Sequence, residues 1–171
     1  MSADAELMTA IGFTLQDLDA NRHRLLSPHQ QQLLKNAQAS WHSFSMLIKI
    51  AGTISVIVAI LEGIRIDDTI ASRIGIVVLI CVVAAALLIY CRYASMRYKN
   101  DLAEGIAASV EGEVKLTQDL SRTTLIAYKI QIDQMQFTVS GSIWSAFENG
   151  QEYRLYFLPH SRTLLSAELR L

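Results

Sequence analysis

Two apolar stretches stand side by side in the middle of this chain, residues 44–61 and 74–91. The second, IGIVVLICVVAAALLIYC, contains no charged residue. Eighteen helical residues rise roughly 27 Å, close to the hydrocarbon thickness of a bilayer. The polar link between the stretches then reads as the turn of a transmembrane hairpin, with spans at about 44–62 and 74–91. The competing reading is a pair of buried helices in a water-soluble core. The second stretch argues against it, because a core helix usually keeps a polar stripe and this one is apolar all round. The first reaches spanning length when Lys49 lies at the boundary with its ammonium snorkelling into the headgroups.

The composition agrees. Of 171 residues, 51% are hydrophobic and 18% charged, with a mean hydropathy of +0.28. Outside the hairpin remain an N-terminal segment, 1–43, too short to bury much core alone, and a C-terminal portion about twice its size. A net charge of −1 gives no footprint for nucleic acid. The N-terminus is polar and acidic, without the basic and apolar regions of a cleaved signal peptide. Lys35, Lys49, Arg92, Arg97 and Lys99 flank the spans, against Arg65 and Arg73 in the link, where Glu62, Asp67 and Asp68 accompany them. The positive-inside rule therefore predicts both termini in the cytoplasm. Trp41, Phe44, Tyr90, Tyr93 and Tyr98 form an aromatic belt on that side.

Ahead of the membrane, Thr14 reads as the N-cap of a short helix ending near Asn21. Ser27, Pro28 and Gln30 form a capping box for the next helix. That helix carries Leu34, Ala37, Trp41, Phe44 and Ile48 on one stripe and is expected to run into the first span, with the shorter helix folded back against it. Asp17, Asp19 and Asn21 have EF-hand spacing, but Arg22 stands where Gly is required and Pro28 where the bidentate Glu belongs, so the calcium reading fails. Those residues read as cap and turn groups, with Arg22 and Arg24 positioned to pair with them or with lipid phosphates.

Within the first span, Ala51, Ser55, Ala59 and Gly63 recur every four residues and present a small-residue packing face, widened by Gly52. The second span, with Gly75 and Ala84 to Ala86, is the default partner, and a second copy of the chain is the other. No acid or base occupies the middle of either span, which speaks against an ion path. Cys81 and Cys91 lie ten residues apart on one helix and cannot pair. No cysteine or histidine spacing suits zinc, and no cofactor is expected. Acylation of Cys91 at the membrane edge is the one modification its position suggests.

After the second span, 92–108 reads as a juxtamembrane helix. The period then changes to alternation, with strands near 110–116, 128–132, 135–139, 153–157 and 165–169, linked by turns at Asp133-Gln134, Glu148-Asn149-Gly150 and Pro159-His160-Ser161. Residues 143–147 read as a helical turn or an extra short strand. The predicted fold class is a membrane α+β protein: an N-terminal helix-turn-helix, a two-helix hairpin, and, over 109–171, a small antiparallel β-barrel-like or curled sheet of SH3-like or OB-like kind.

That domain assembles no Ser-His-Asp or Cys-His set, and His160 stands alone on its turn. Glu111 and Glu113 read as a solvated strand face. Arg154, Tyr156, His160 and Arg162 form a candidate patch for an anionic ligand or a partner. Two stretches, LQDLDANRHRLLSPHQ (15–30) and GQEYRLYFLPHSRTLLSAE (150–168), resemble uncharacterised two-span bacterial membrane proteins. The resemblance implies the layout above and a multi-pass place in the bacterial inner membrane, and it brings no activity with it.

The function expected on these grounds is a non-catalytic integral membrane scaffold or accessory subunit. It presents its β domain and N-terminal helices to a protein partner, with the bilayer and a possible homo-oligomer contacting the helices. The alternative is a membrane-bound sensor whose β domain binds a small anionic ligand or lipid headgroup. An enzyme or transporter ranks last, for want of a site.

Overall fold

The computed structural model describes the backbone of residues 3–63, 70–119 and 127–170, and the side chains of 5–58, 75, 77–119 and 127–170. The link expected to turn the hairpin falls largely outside these residues. In order come α1 (Ala3–Ile11), α2 (Leu15–Arg22), α3 (Pro28–Gly63), α4 (Ile70–Glu104), β1 (Ala108–Asp119), β2 (Ala127–Ile132), β3 (Met135–Val139), α5 (Gly141–Trp144), β4 (Glu152–Phe157) and β5 (Leu164–Leu169). The chain divides into two units. Residues 1–33 and 101–171 form an α+β unit, and residues 34–100 a helical unit. The N-terminal segment thus shares a unit with the C-terminal strands rather than standing by itself.

Both N-terminal start signals operate. Thr14 caps α2, with its hydroxyl accepting from the Asp17 amide and the Asp17 carboxylate accepting from the Thr14 amide. Ser27 caps α3 in the same reciprocal way with Gln30, at 3.0 and 3.2 Å. Nothing interrupts α3 from Pro28 onward, and it runs 36 residues. α4 stops at Glu104 because Gly105 follows with φ +63°, the left-handed conformation that ends helices. The juxtamembrane helix is therefore the last part of α4, about a turn shorter than its sequence suggested.

In the helical unit α3 and α4 run antiparallel. The Trp41 ring meets Tyr90, and Gly52 approaches Ala84 so closely that an added Cβ on the glycine would lie 3.6 Å from the alanine methyl. Half-buried positions recur every three or four residues along each helix, through Trp41, Ser45, Ile48, Gly52 and Val56 on α3 and Val77, Ile80, Ala84 and Leu88 on α4. That spacing is the seam of a left-handed helix pair. Away from the seam, Ile50, Ile54, Leu79 and Ile89 are exposed. Both helices are long and apolar enough to cross a membrane, with none of the apolar window of α3 and 6% of that of α4 buried.

The five strands form an antiparallel sheet in the order β3-β2-β1-β4-β5. The barrel-like expectation is corrected here. The sheet is open, and among the described residues β3 pairs with β2 alone and β5 with β4 alone. The reason lies in β1, which divides its length between partners: Ala108 to Glu113 pair with β4, Val114 to Asp119 with β2. The handover falls between Glu113 and Val114, just past Gly112, whose φ of +153° few other residues adopt and whose missing Cβ leaves room for Ile132. The sheet nevertheless curls. Phe137 on β3 and Phe157 on β4 stack edge to face at 5.2 Å, although three strand spacings in a flat sheet amount to about 14 Å.

The face lined by Val114, Ile130, Ile132, Phe137, Tyr153, Leu155 and Phe157 is the core. α1 packs on β5 and α5, and α2 packs on β5. Leu7, Phe13 and Leu18 complete the same apolar cluster. The sequence reading laid the short helix, α2, back on the next; Asp17 ties α2 to the start of α3, and α1 and α2 also cover the β5 side of the sheet. α1 itself had no cap or periodic signal strong enough to be read. Residues 141–144 form a helical turn, capped by Ser140, in place of an extra strand.

Candidate functional site

The opposite, polar face of the sheet carries a row of charges across three neighbouring strands. Glu111 on β1 lies opposite Arg154 on β4, and Arg154 opposite Glu168 on β5. Arg154 Nε donates to Glu111 Oε1 at 2.6 Å and Nη1 to Glu168 Oε1 at 3.4 Å. Tyr156 Oη donates to Glu168 Oε1 at 2.8 Å, and Arg170 Nη1 lies 2.7 Å from Glu111 Oε2. From α2, Arg22 Nε donates to Glu168 Oε2 at 2.9 Å, closing the row. Beside it, buried Asn21 donates to Ser166 Oγ at 2.7 Å. Burial pushes the Glu168 pKa up, but the Arg22 and Tyr156 hydrogen bonds and both guanidinium charges outweigh it and hold the carboxyl below its usual range. Burial, reinforced by Glu168, raises the Tyr156 phenol against the opposing influence of Arg154.

A cleft of about 510 Å³ opens over this row, lined by Arg22, Glu152, Arg154, Glu168, Leu169 and Arg170. With Glu111, its three arginines meet three carboxylates, so the cleft presents no net positive charge to an anion. Its chemistry is cross-linking. It ties α2 to β5 and β5 to β1.

A second polar knot joins α2 to α3. Asp17, 1% exposed, accepts from the Thr14 amide and hydroxyl at 2.9 Å each and from Ser27 Oγ, and lies 3.1 Å from His29 Nδ1. A third caps the turn after β4: buried Asp101 accepts from the amides of His160 and Ser161, both at 2.8 Å, while His160 Nε2 lies 2.7 Å from Glu104.

The four residues of the predicted anionic patch are therefore divided. Arg154 and Tyr156 meet at Glu168, whereas His160 faces Glu104 and Arg162 is an exposed, left-handed turn residue with φ 56°. Arg22, expected to pair nearby or with lipid, is engaged by Glu168 instead. Glu111, expected on a solvated strand face, is exposed there and pairs with Arg154 and Arg170. Of the small-residue face, Ala51 and Ser55 line an apolar groove of about 380 Å³ beside the seam, with the closest approach one residue on, at Gly52. Ala59 and Gly63 lie outside the residues with described side chains. Asp17, Asp101, Glu111 and Glu168 were missed as site members. Only the strand register, which sets Arg154 between two glutamates, could have revealed the row. Among the described residues no cluster of three His, Cys, Asp or Glu could hold a metal ion.

No protein-family model matches the chain, no curated protein matches it, and no solved structure matches its fold.

The Asp17 knot has a readable pH dependence. Burial opposes ionisation, yet the bonds from Ser27, Thr14 and His29 outweigh it and lower the pKa from 3.8. A depressed native pKa stabilises the fold fully above the unfolded value and loses that stabilisation as pH falls through the native one. Asp17→Asn is expected to cost about 2 kcal/mol at neutral pH. In urea melts of the full chain, the gap between parent and variant narrows as pH drops below about 3.8. A gap independent of pH contradicts the assignment.

Proposed function

We propose that this protein is a two-pass integral membrane scaffold or accessory subunit of the bacterial inner membrane, carrying its α+β unit in the cytoplasm for a protein partner. One observation carries the reading. Residues before α3 and after α4 are packed into a single unit, with Asn21 bonded to Ser166 and Arg22 to Glu168. Segments that share one core lie on one side of any bilayer, so the helices between them cross it an even number of times. The exposure of α3 and α4 supports the membrane half of the reading, since a core helix of a water-soluble protein is mostly buried. The excess of Lys and Arg on the flanks supports a cytoplasmic side.

A scaffold also suits the α+β unit. β5 is covered by α1 and α2, whereas β3 pairs along one edge only among the described residues and can accept an added strand. The anionic-ligand alternative ranks lower because Arg22, Arg154 and Arg170 are each neutralised by a carboxylate. The groove beside Gly52 supports contact with a second copy through the helices.

Two measurements follow. A Ser72→Cys variant, with Cys81 and Cys91 replaced by Ala, is expected to react with a membrane-impermeant maleimide on intact cells. Reaction only after permeabilisation reverses the orientation. Purification in mild detergent is expected to recover a stoichiometric protein partner, and Gln136→Lys, which charges the β3 edge, is expected to release it. Recovery of the chain alone, or a partner indifferent to that edge, contradicts the scaffold built on β3.

A further inference from the structure

We infer that the cavity between α3 and α4 at their Trp41–Tyr90 end binds the phosphate headgroup of an anionic phospholipid. The inference rests on α3 and α4 crossing a membrane, as proposed above. The cavity measures about 490 Å³ and takes Lys49 from one helix and Arg92 from the other, with Ser95 as a hydroxyl donor and no Asp or Glu in its wall; the Ser45 hydroxyl, also in the wall, donates to the His42 carbonyl. Trp41, Ser45 and Lys49 share one face of α3 at four-residue spacing, and Leu88, Arg92 and Ser95 share one face of α4.

The antiparallel arrangement aims both cations at the same place. Helical side chains tilt toward the N-terminus of their own helix. Lys49 therefore leans toward the Trp41 end of the pair, and Arg92, on the oppositely directed helix, leans inward to meet it. The level is also right. The Trp41 rings meet Phe44 and Tyr90 edge to face at 6.4 and 6.1 Å, an aromatic girdle of the kind found where hydrocarbon gives way to headgroups.

Free phosphate and a lipid phosphodiester share this chemistry, and the cavity's neighbour distinguishes them. Leu88 lines both the cavity and an apolar groove of about 420 Å³ that continues along Gly52 and Val56 toward the middle of the helices. A basic, hydroxyl-lined cavity that shares Leu88 with a neighbouring apolar groove matches a headgroup with its acyl chain attached. An inorganic anion leaves the groove unused.

The test reconstitutes the full chain in phosphatidylcholine vesicles with a minor fraction of phosphatidylglycerol, followed by native mass spectrometry of the lipid retained. Each basic group near an anionic lipid is worth roughly five-fold in affinity, so Lys49→Gln with Arg92→Gln lowers phosphatidylglycerol retention about 25-fold. Lys99→Gln, outside the cavity wall, keeps retention, and the charge-preserving pair Lys49→Arg with Arg92→Lys largely restores it. Equal retention by the double Gln variant overturns the site. Protection of Lys49 from acylation by inorganic phosphate, without retained lipid, overturns the lipid assignment. A chain that inserts into vesicles but shows no preference for phosphatidylglycerol refutes this site alone, whereas a chain that does not insert refutes the membrane reading too.

Discussion

Asn21 reaches Ser166, and Arg22 reaches Glu168, across 145 and 146 residues of chain. The α+β unit depends on these bonds and on the packing of Leu7, Phe13 and Leu18 into the sheet's core. Without the N-terminal helices, β5 is an uncovered edge and part of the apolar cluster opens to water. Closing so long a loop costs entropy, but the antiparallel pairing of α3 and α4 returns the chain close to where it left. Cutting the effective loop about ten-fold saves roughly 2 kcal/mol. The pairing of the two apolar helices thus also helps assemble the unit that flanks them.

The buried polar groups have a common purpose. Asp17 fixes the corner between α2 and α3, Asp101 fixes the turn after β4 by accepting two backbone amides, and Glu168 gathers Arg22, Arg154 and Tyr156. Each carboxylate has several donors, the condition under which a buried charge specifies a structure rather than destabilising it. The arginines of the sheet are consequently occupied in holding elements together. In the helical unit, Lys49 and Arg92 line one cavity.

Much of the fold was legible in the sequence because its signals are local. Thr14, Ser27 and Pro28 announced two helix starts, the alternation in 128–132 and 135–139 gave a hairpin, and Asp133 adopts the positive φ of 50° that the first position of some two-residue hairpin turns needs. What was not legible depends on partners far along the chain. Nothing near β1 says that it changes partner after Glu113, which is why an open, curled sheet was expected as something nearer a barrel. Nothing near Arg22 or Arg154 reveals Glu168, since that pairing exists only once register and helix packing are set. The row of charges therefore looked like an exposed basic patch when it is a cross-link. The small-residue stripe through Ala51 and Ser55 was visible as a four-residue repeat, but the seam follows half-burial rather than size alone and runs through Gly52.

The central claim is that the segments on either side of the two apolar helices fold as one. Cysteines at Asn21 and Ser166, in a chain whose Cys81 and Cys91 are replaced by Ala, test it most directly, because the two side chains touch across 145 residues. Mild oxidation of isolated membranes is expected to give a monomeric species of increased gel mobility that reverts on reduction. Absence of that bridge, with both cysteines still free or found only in cross-linked dimers, would contradict the account.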